Sequence, residues 1–139
     1  MIYISNDLKS TIGKEGEKFY PNECCGIIYG KYDDSKKAVS VEAIENSFDD
    51  AEKHHRFLIT PEDMMKAELK ARSLKLDILG FYHSHPDHPA KPSDYDREHA
   101  LPFYSYVIVS VANGKAENFT SWELEENRSK FNQEVIQEI

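Results

Sequence analysis

The pattern of hydrophobic and polar positions changes rhythm several times along the chain, and each change marks an element. Residues 7–19 place Leu8, Ile12 and Phe19 at roughly helical spacing behind Asn6, a residue suited to capping, although Gly13 and Gly16 weaken the helix. CGIIYGKY (25–32) and VSVEAIE (39–45) are β-rich runs around the turn-like KYDDSKK, which predicts an antiparallel hairpin. HRFLI (55–59) reads as extended. Helix signals are strongest in ITPEDMMKAELKARSL, where Thr60 caps, Pro61 opens the first turn, acids follow it and Arg72 lies near the end.

Further on, LDILGFYHS (76–84) and SYVIVSV (105–111) are apolar enough for central strands, and SDYDREHAL (93–101) between them begins like a helix. ENFTSWELE (117–125) predicts another strand. The tail NRSKFNQEVIQEI fits either a helical stripe through Phe131, Val135, Ile136 and Ile139 or an edge strand. This order predicts an α/β (α+β) fold, with helices packed on a mixed β-sheet.

Length narrows the picture further: 139 residues suit a single domain, 1–139, with a genuine core. A net charge of −8 without a basic stripe argues against nucleic acid as a partner. No run approaches the roughly 18 apolar residues of a membrane span, and MIYISNDLKS does not resemble a signal peptide. The expectation is therefore no membrane association and a cytoplasmic location. Cys24 and Cys25 are sequence neighbours, which suits reduced packing thiols better than a disulfide framework.

Candidate chemistry is concentrated in GFYHSHPDHPAKPSDYD (80–96), which carries three of the six histidines, three prolines and three aspartates. On a strand, side chains alternate faces, so His83 and His85 line one wall while Ser84 points away. Two imidazoles followed by a carboxylate make a natural zinc site, with Asp96 able to supply the third ligand. Three protein ligands leave one position open, and zinc in such a site lowers the pKa of water to roughly 7, which favours hydrolysis. Ser93-x-x-Asp96 is also what a helix start requires, with a capping hydroxyl and an acid near the positive end of the helix dipole. The two roles are compatible, because a cap orients Asp96.

His-Ser-His-Pro, seven residues from His85 to Ser93 and two more to Asp96, resembles the signature of the JAMM (MPN+) metalloproteases. Such a pattern arises by chance in roughly one in a hundred thousand chains of this length, so its presence is informative. PNECCG adds the upstream glutamate of that family, with Pro21, Glu23 and Gly26, and the order of elements resembles the family's minimal core. The resemblance implies that His83, His85 and Asp96 hold Zn²⁺, that Glu23 is general base and then general acid, and that Ser93 donates a hydrogen bond to the oxyanion. It implies a compact MPN/JAMM-like peptidase or isopeptidase. Its partner would be a ubiquitin-like or sulfur-carrier protein cut after a C-terminal Gly-Gly. There is no room for the long insertions of eukaryotic relatives that cleave ubiquitin chains.

Two alternatives remain from the sequence: a non-catalytic MPN-type binding module, and a zinc amidohydrolase acting on small molecules. The intact ligand set disfavours the first. The second lacks the His-x-Glu and Pro-Cys-x-x-Cys arrangement of zinc deaminases. His54, His55, His88 and His99 are expected at the surface, and Cys24 and Cys25 in packing.

Overall fold

The computed structural model describes residues 1–49, 52–53 and 56–139. Among these, the order is β1 (Ile2–Ile4), α1 (Asn6–Phe19), β2 (Cys25–Tyr32), β3 (Lys36–Ile44), α2 (Pro61–Leu74) and β4 (Asp77–Pro86). There follow α3 (Asp94–His99), β5 (Ser105–Ala112), β6 (Lys115–Leu124), β7 (Phe131–Glu134) and β8 (Ile136–Glu138). All strands join one mixed sheet in the order β7-β6-β5-β4-β2-β3-β1-β8. The expected helices-on-mixed-sheet architecture is the observed one.

Central strands are buried on both sides, which explains their nearly continuous apolar runs. One face gathers Ile12, Ile28, Leu79, Tyr82, Val107 and Val109 beneath α1. The other gathers Ile27, Tyr29, Phe81 and Tyr106 with Ala67 and Ala71 of α2 and Ala100 after α3. Gly16, costly for helix propensity, has a packing use: a Cβ there would sit 3.0 Å from a Val111 methyl. Its absence lets α1 lie close on the sheet.

Several local expectations change. Ser5, not Asn6, caps α1, its hydroxyl accepting from the Leu8 N–H at 3.2 Å. Arg56–Ile59 are irregular instead of extended strand, and His55 lies outside the described residues, as does His54. Of the two readings of the tail, strand is observed, as β7 and β8 separated only by Val135.

That tail closes the sheet. β7 pairs with β6 and β8 pairs with β1, so the two strands at opposite ends of the order belong to one continuous stretch of chain. At the closure Lys36 and Glu134 are buried together, Nζ 2.6 Å from Oε2. Ser105 and Ser121 hydroxyls each donate to Glu134 Oε1 at 2.7 Å. No helix among the described residues is long and apolar enough to cross a membrane.

Candidate metal centre

The site is built at the end of β4, where strand alternation does the first sorting. Ser84 faces the α1 side, and its hydroxyl accepts from the Cys24 N–H at 2.8 Å. His83 and His85 face the other way. Cys25 is in register with His83, so Glu23, two residues before β2, arrives beside the imidazoles. Gly26 sits opposite Tyr82, whose ring occupies the space that any side chain at 26 would need. Glycine at that position therefore lets β2 and β4 run together next to the site.

Glu23 is held through its backbone. Its N–H donates to the Lys53 carbonyl at 2.6 Å, and its carbonyl accepts from Asn46 Nδ2 at 3.2 Å. Asn46 also donates to the Arg56 carbonyl at 2.9 Å and accepts from the Phe48 and Leu58 N–H groups, both at 3.1 Å. One amide thus ties the segments flanking positions 48 and 57 to each other and to Glu23. Phe57 then stacks on His83, ring centroids 4.5 Å apart.

Asp96 comes from the first turn of α3. Ser93 Oγ accepts from the Asp96 N–H at 3.0 Å, and Asp96 Oδ2 accepts from the Ser93 N–H at 2.9 Å, a reciprocal capping box. The same Oδ2 lies 3.3 Å from His83 Nε2 and 3.2 Å from His85 Nε2, while the two Nε2 atoms are 3.1 Å apart. Ligand atoms bound tetrahedrally at about 2.0–2.1 Å are separated by about 3.3 Å. The triangle therefore has the dimensions zinc requires.

Proton positions strengthen that fit. His85 Nδ1 is 2.9 Å from the Pro89 carbonyl, which can only accept, so Nδ1 carries the hydrogen and neutral His85 presents a lone pair at Nε2. That lone pair faces the Asp96 carboxylate, an arrangement a cation relieves. Glu23, His83 and His85 also have ligand-capable atoms within 4.8 Å of one another. Glu23 Oε1 is buried without a hydrogen-bond partner.

The surroundings divide the two carboxyls. Burial opposes ionisation of Asp96, but His83, His85 and the Ser93 N–H outweigh it and hold the group far below the usual carboxylate range. Burial raises Glu23 to about 8; His85 opposes this and Asp96 adds to it. Burial also pushes His83 down, towards the neutral ligand form. For His85, burial lowers and Asp96 raises, with a net upward direction. The ionised Asp96 beside the imidazoles suits a metal ligand, while Glu23, whose burial opposes its charge, has the raised proton affinity of a general base once a neighbouring cation favours its ionised form.

Four residues singled out in the sequence, Glu23, His83, His85 and Asp96, come together here, and Ser93 joins as the cap of α3. His99 does not take part; its Nδ1 lies 2.9 Å from the Tyr95 carbonyl. Burial pushes the Cys24 thiol up to about 12 and raises Cys25 as well, so neither supplies a thiolate. Asn46, Phe57 and Pro89 were not singled out in the sequence. An Asn after a strand reads as an ordinary loop residue, and nothing local distinguishes it.

Comparison with known proteins agrees with this architecture. Residues 5–125 match the family model described as prokaryotic homologs of the JAB domain. A desampylase of Haloferax volcanii is 34% identical over 91 residues, 65% of this chain and 63% of that protein. The chain therefore spans just under two thirds of that relative's length. A desampylase of Pyrococcus furiosus is 29% identical over 116 residues, 84% of this chain and 76% of that protein. Among solved structures, a Salinibacter ruber protein is 36% identical with a TM-score of 0.76, covering 100% of this chain and 92% of that one. A JAB1/MPN domain protein of Archaeoglobus fulgidus, 16% identical, shares the fold with a TM-score of 0.64, covering 100% and 99%. The fold and the clustered histidines and carboxylates define a compact JAMM/MPN-type domain. The chain belongs to the family of prokaryotic JAB-domain homologs.

Proposed function

We propose that the protein is a zinc-dependent peptidase or isopeptidase, with residues 1–139 acting as one catalytic unit, that cuts after the C-terminal Gly-Gly of a ubiquitin-like or sulfur-carrier protein. The observation that carries this reading is the triangle of His83 Nε2, His85 Nε2 and Asp96 Oδ2 with Glu23 beside it. The name desampylase, borne by two relatives, supports a ubiquitin-like modifier as substrate.

His83, His85 and Asp96 would hold the ion, which supplies Lewis acidity and makes hydroxide available near neutral pH. Glu23 takes the proton of the attacking water and passes it to the leaving amine, the cation beside it favouring the ionised form that the first step needs and its burial favouring the protonated form that the second needs. Ser93 accepts from Asp96 through a lone pair, so its hydroxyl hydrogen remains to donate to the tetrahedral oxyanion. The Phe57 ring covers one face of His83 and keeps water from it. A glycine at the cut lets the substrate backbone approach the buried centre closely.

The test is intact-mass analysis of ubiquitin-like and sulfur-carrier proteins extended beyond Gly-Gly, incubated with the zinc-loaded protein and with Glu23→Gln. Cleavage directly after the diglycine is expected with the native protein only. Zinc bound stoichiometrically with every carrier intact would overturn the substrate assignment.

A further inference from the structure

Two hollows border the Glu23, His83, His85 and Asp96 cluster, one at Glu23 and one at His83 and Asp96, and their chemistry differs. One, about 550 Å³, reaches from Glu23 and Cys24 between α1 and the end of β3, with Glu15, Glu45 and Asn46 in its walls. The other, about 170 Å³, lies beyond His83 and Asp96, walled chiefly by Phe57, Ile59, Met64, Phe81, Tyr106 and Phe131. Besides His83 and Asp96, the polar side chains Tyr95, His99 and Tyr106 line this second hollow, and each has at least one hydrogen-bond partner, His99 Nδ1 lying 2.9 Å from the Tyr95 carbonyl. Tyr106 Oη accepts from the Leu101 N–H at 2.7 Å, and the Tyr95 hydroxyl donates to the Phe57 carbonyl at 3.4 Å. Beyond the metal ligands themselves, its walls therefore favour an apolar guest.

Size and position identify the guest. A cavity of about 150 Å³ lined by aliphatic and aromatic side chains stays dry and takes up benzene. The second hollow therefore has room for a phenyl ring or a branched aliphatic group. Among the described residues, β3 beyond Lys37 has a strand partner only on its β2 side. This open edge ends at Ile44, paired with Cys25, which is in turn paired with His83. An extended tail added along the edge reaches the cluster from the Glu23 side, and a diglycine has no side chain to place. Chain beyond the cut would then pass His83 and Asp96, which also line the apolar hollow.

We propose that this hollow receives the side chain of the first residue after the scissile bond, so that the substrate is a diglycine-ended carrier extended through an α-peptide bond by a large apolar residue such as Phe, Leu or Met. The proposal rests on the peptidase reading above and specifies its leaving group.

Two measurements test it. First, phenylalanine amide and alanine amide, mimics of the leaving product, are titrated into the zinc-loaded protein while the Ile59 and Met64 methyl resonances are followed. Phenylalanine amide is expected to shift both and to saturate at least about tenfold earlier than alanine amide, and Ile59→Trp or Met64→Trp, which fill the hollow from the loop and from α2, should each abolish the shift of the methyl that remains. Second, a ubiquitin-like carrier ending in Gly-Gly-Phe is compared with Gly-Gly-Ala and with a Lys side chain joined to the diglycine by an isopeptide bond. Native kcat/KM should favour Phe over Ala by about 100-fold, and the filled variants should bring that ratio near one. Equal cleavage of Phe and Ala carriers, faster cleavage of the isopeptide, or absence of methyl shifts overturns the hollow's assignment while leaving the peptidase reading intact. Saturable phenylalanine amide binding with no carrier cut overturns the peptidase reading and keeps the hollow as an apolar binding site.

Discussion

Asp96 carries two structural demands with one carboxylate: Oδ2 closes the capping box of α3 and completes the triangle with both imidazoles. Ser93 is double in the same way, and its two roles can be separated by substitution. Ser93→Ala should lose about 1 kcal/mol of stability through the cap and about 10²-fold or more in kcat through the missing donor. Ser93→Asp should recover the cap but not the turnover, because Asp caps well yet offers a negative acceptor to an oxyanion. Thermal unfolding beside steady-state kinetics reads both; parallel recovery of stability and kcat would remove Ser93 from the chemistry. For the ligands, His83→Ala should drop bound zinc well below stoichiometry by elemental analysis, since a buried two-ligand site holds the ion weakly. Full zinc content in that variant would overturn the ligand assignment.

At the scale of elements, one amide joins several parts of the segment between β3 and α2. All four hydrogen-bonding positions of the Asn46 side chain are used, and one of them fixes the Glu23 carbonyl. Asn46→Ala should cost about 2 kcal/mol, speed hydrogen exchange at the Phe48 and Leu58 amides, and lower kcat by loosening Glu23. Unchanged exchange at those amides would show that the segment is held by other contacts. Elements with their own punctuation were legible in the sequence: Thr60-Pro61 announces α2, and the long apolar runs announce β4 and β5. His83, Ser84 and His85 were legible because strand alternation has a period of two. Elements whose existence depends on a distant partner were not. β1 is three residues long and is strand only because β3 and β8 flank it, and the tail shows a helical stripe yet pairs with β6 and β1. Asn46 and Phe57 were missed for the same reason, since their meaning comes from Glu23 and His83, which are remote in sequence.

For the whole molecule, the decisive contact is the buried pair that joins β3 to β7 where the sheet closes. Burial opposes the charge on Glu134, but Lys36, Ser121 and Ser105 outweigh it and hold its pKa below the ordinary 4.5; burial likewise opposes Lys36, and Glu134 and Glu123 raise it above 10.5. Glu134 therefore contributes stability that is fully present above pH 4.5 and is lost as pH falls through its depressed folded value. Lys36 contributes stability fully present below pH 10.5 and lost as pH rises through its elevated one. Between those limits the pair's contribution should be flat. Lys36→Met strands a carboxylate that is 1% exposed, retaining only the chain's terminal amine at 3.3 Å and the two hydroxyls. It should cost about 3 kcal/mol at pH 7. The stranded group would then titrate above its ordinary value, so the deficit should shrink as the pH is lowered towards 5, opposite to the native trend in acid. Adding Glu134→Gln, which removes the unpaired charge, should recover at least half of the loss at pH 7. Urea titrations of the native protein and both variants at pH 5 and pH 7 check this. A Lys36→Met deficit that is independent of pH would mean that the closure depends on the packing of the lysine stem and not on the charge it brings to Glu134.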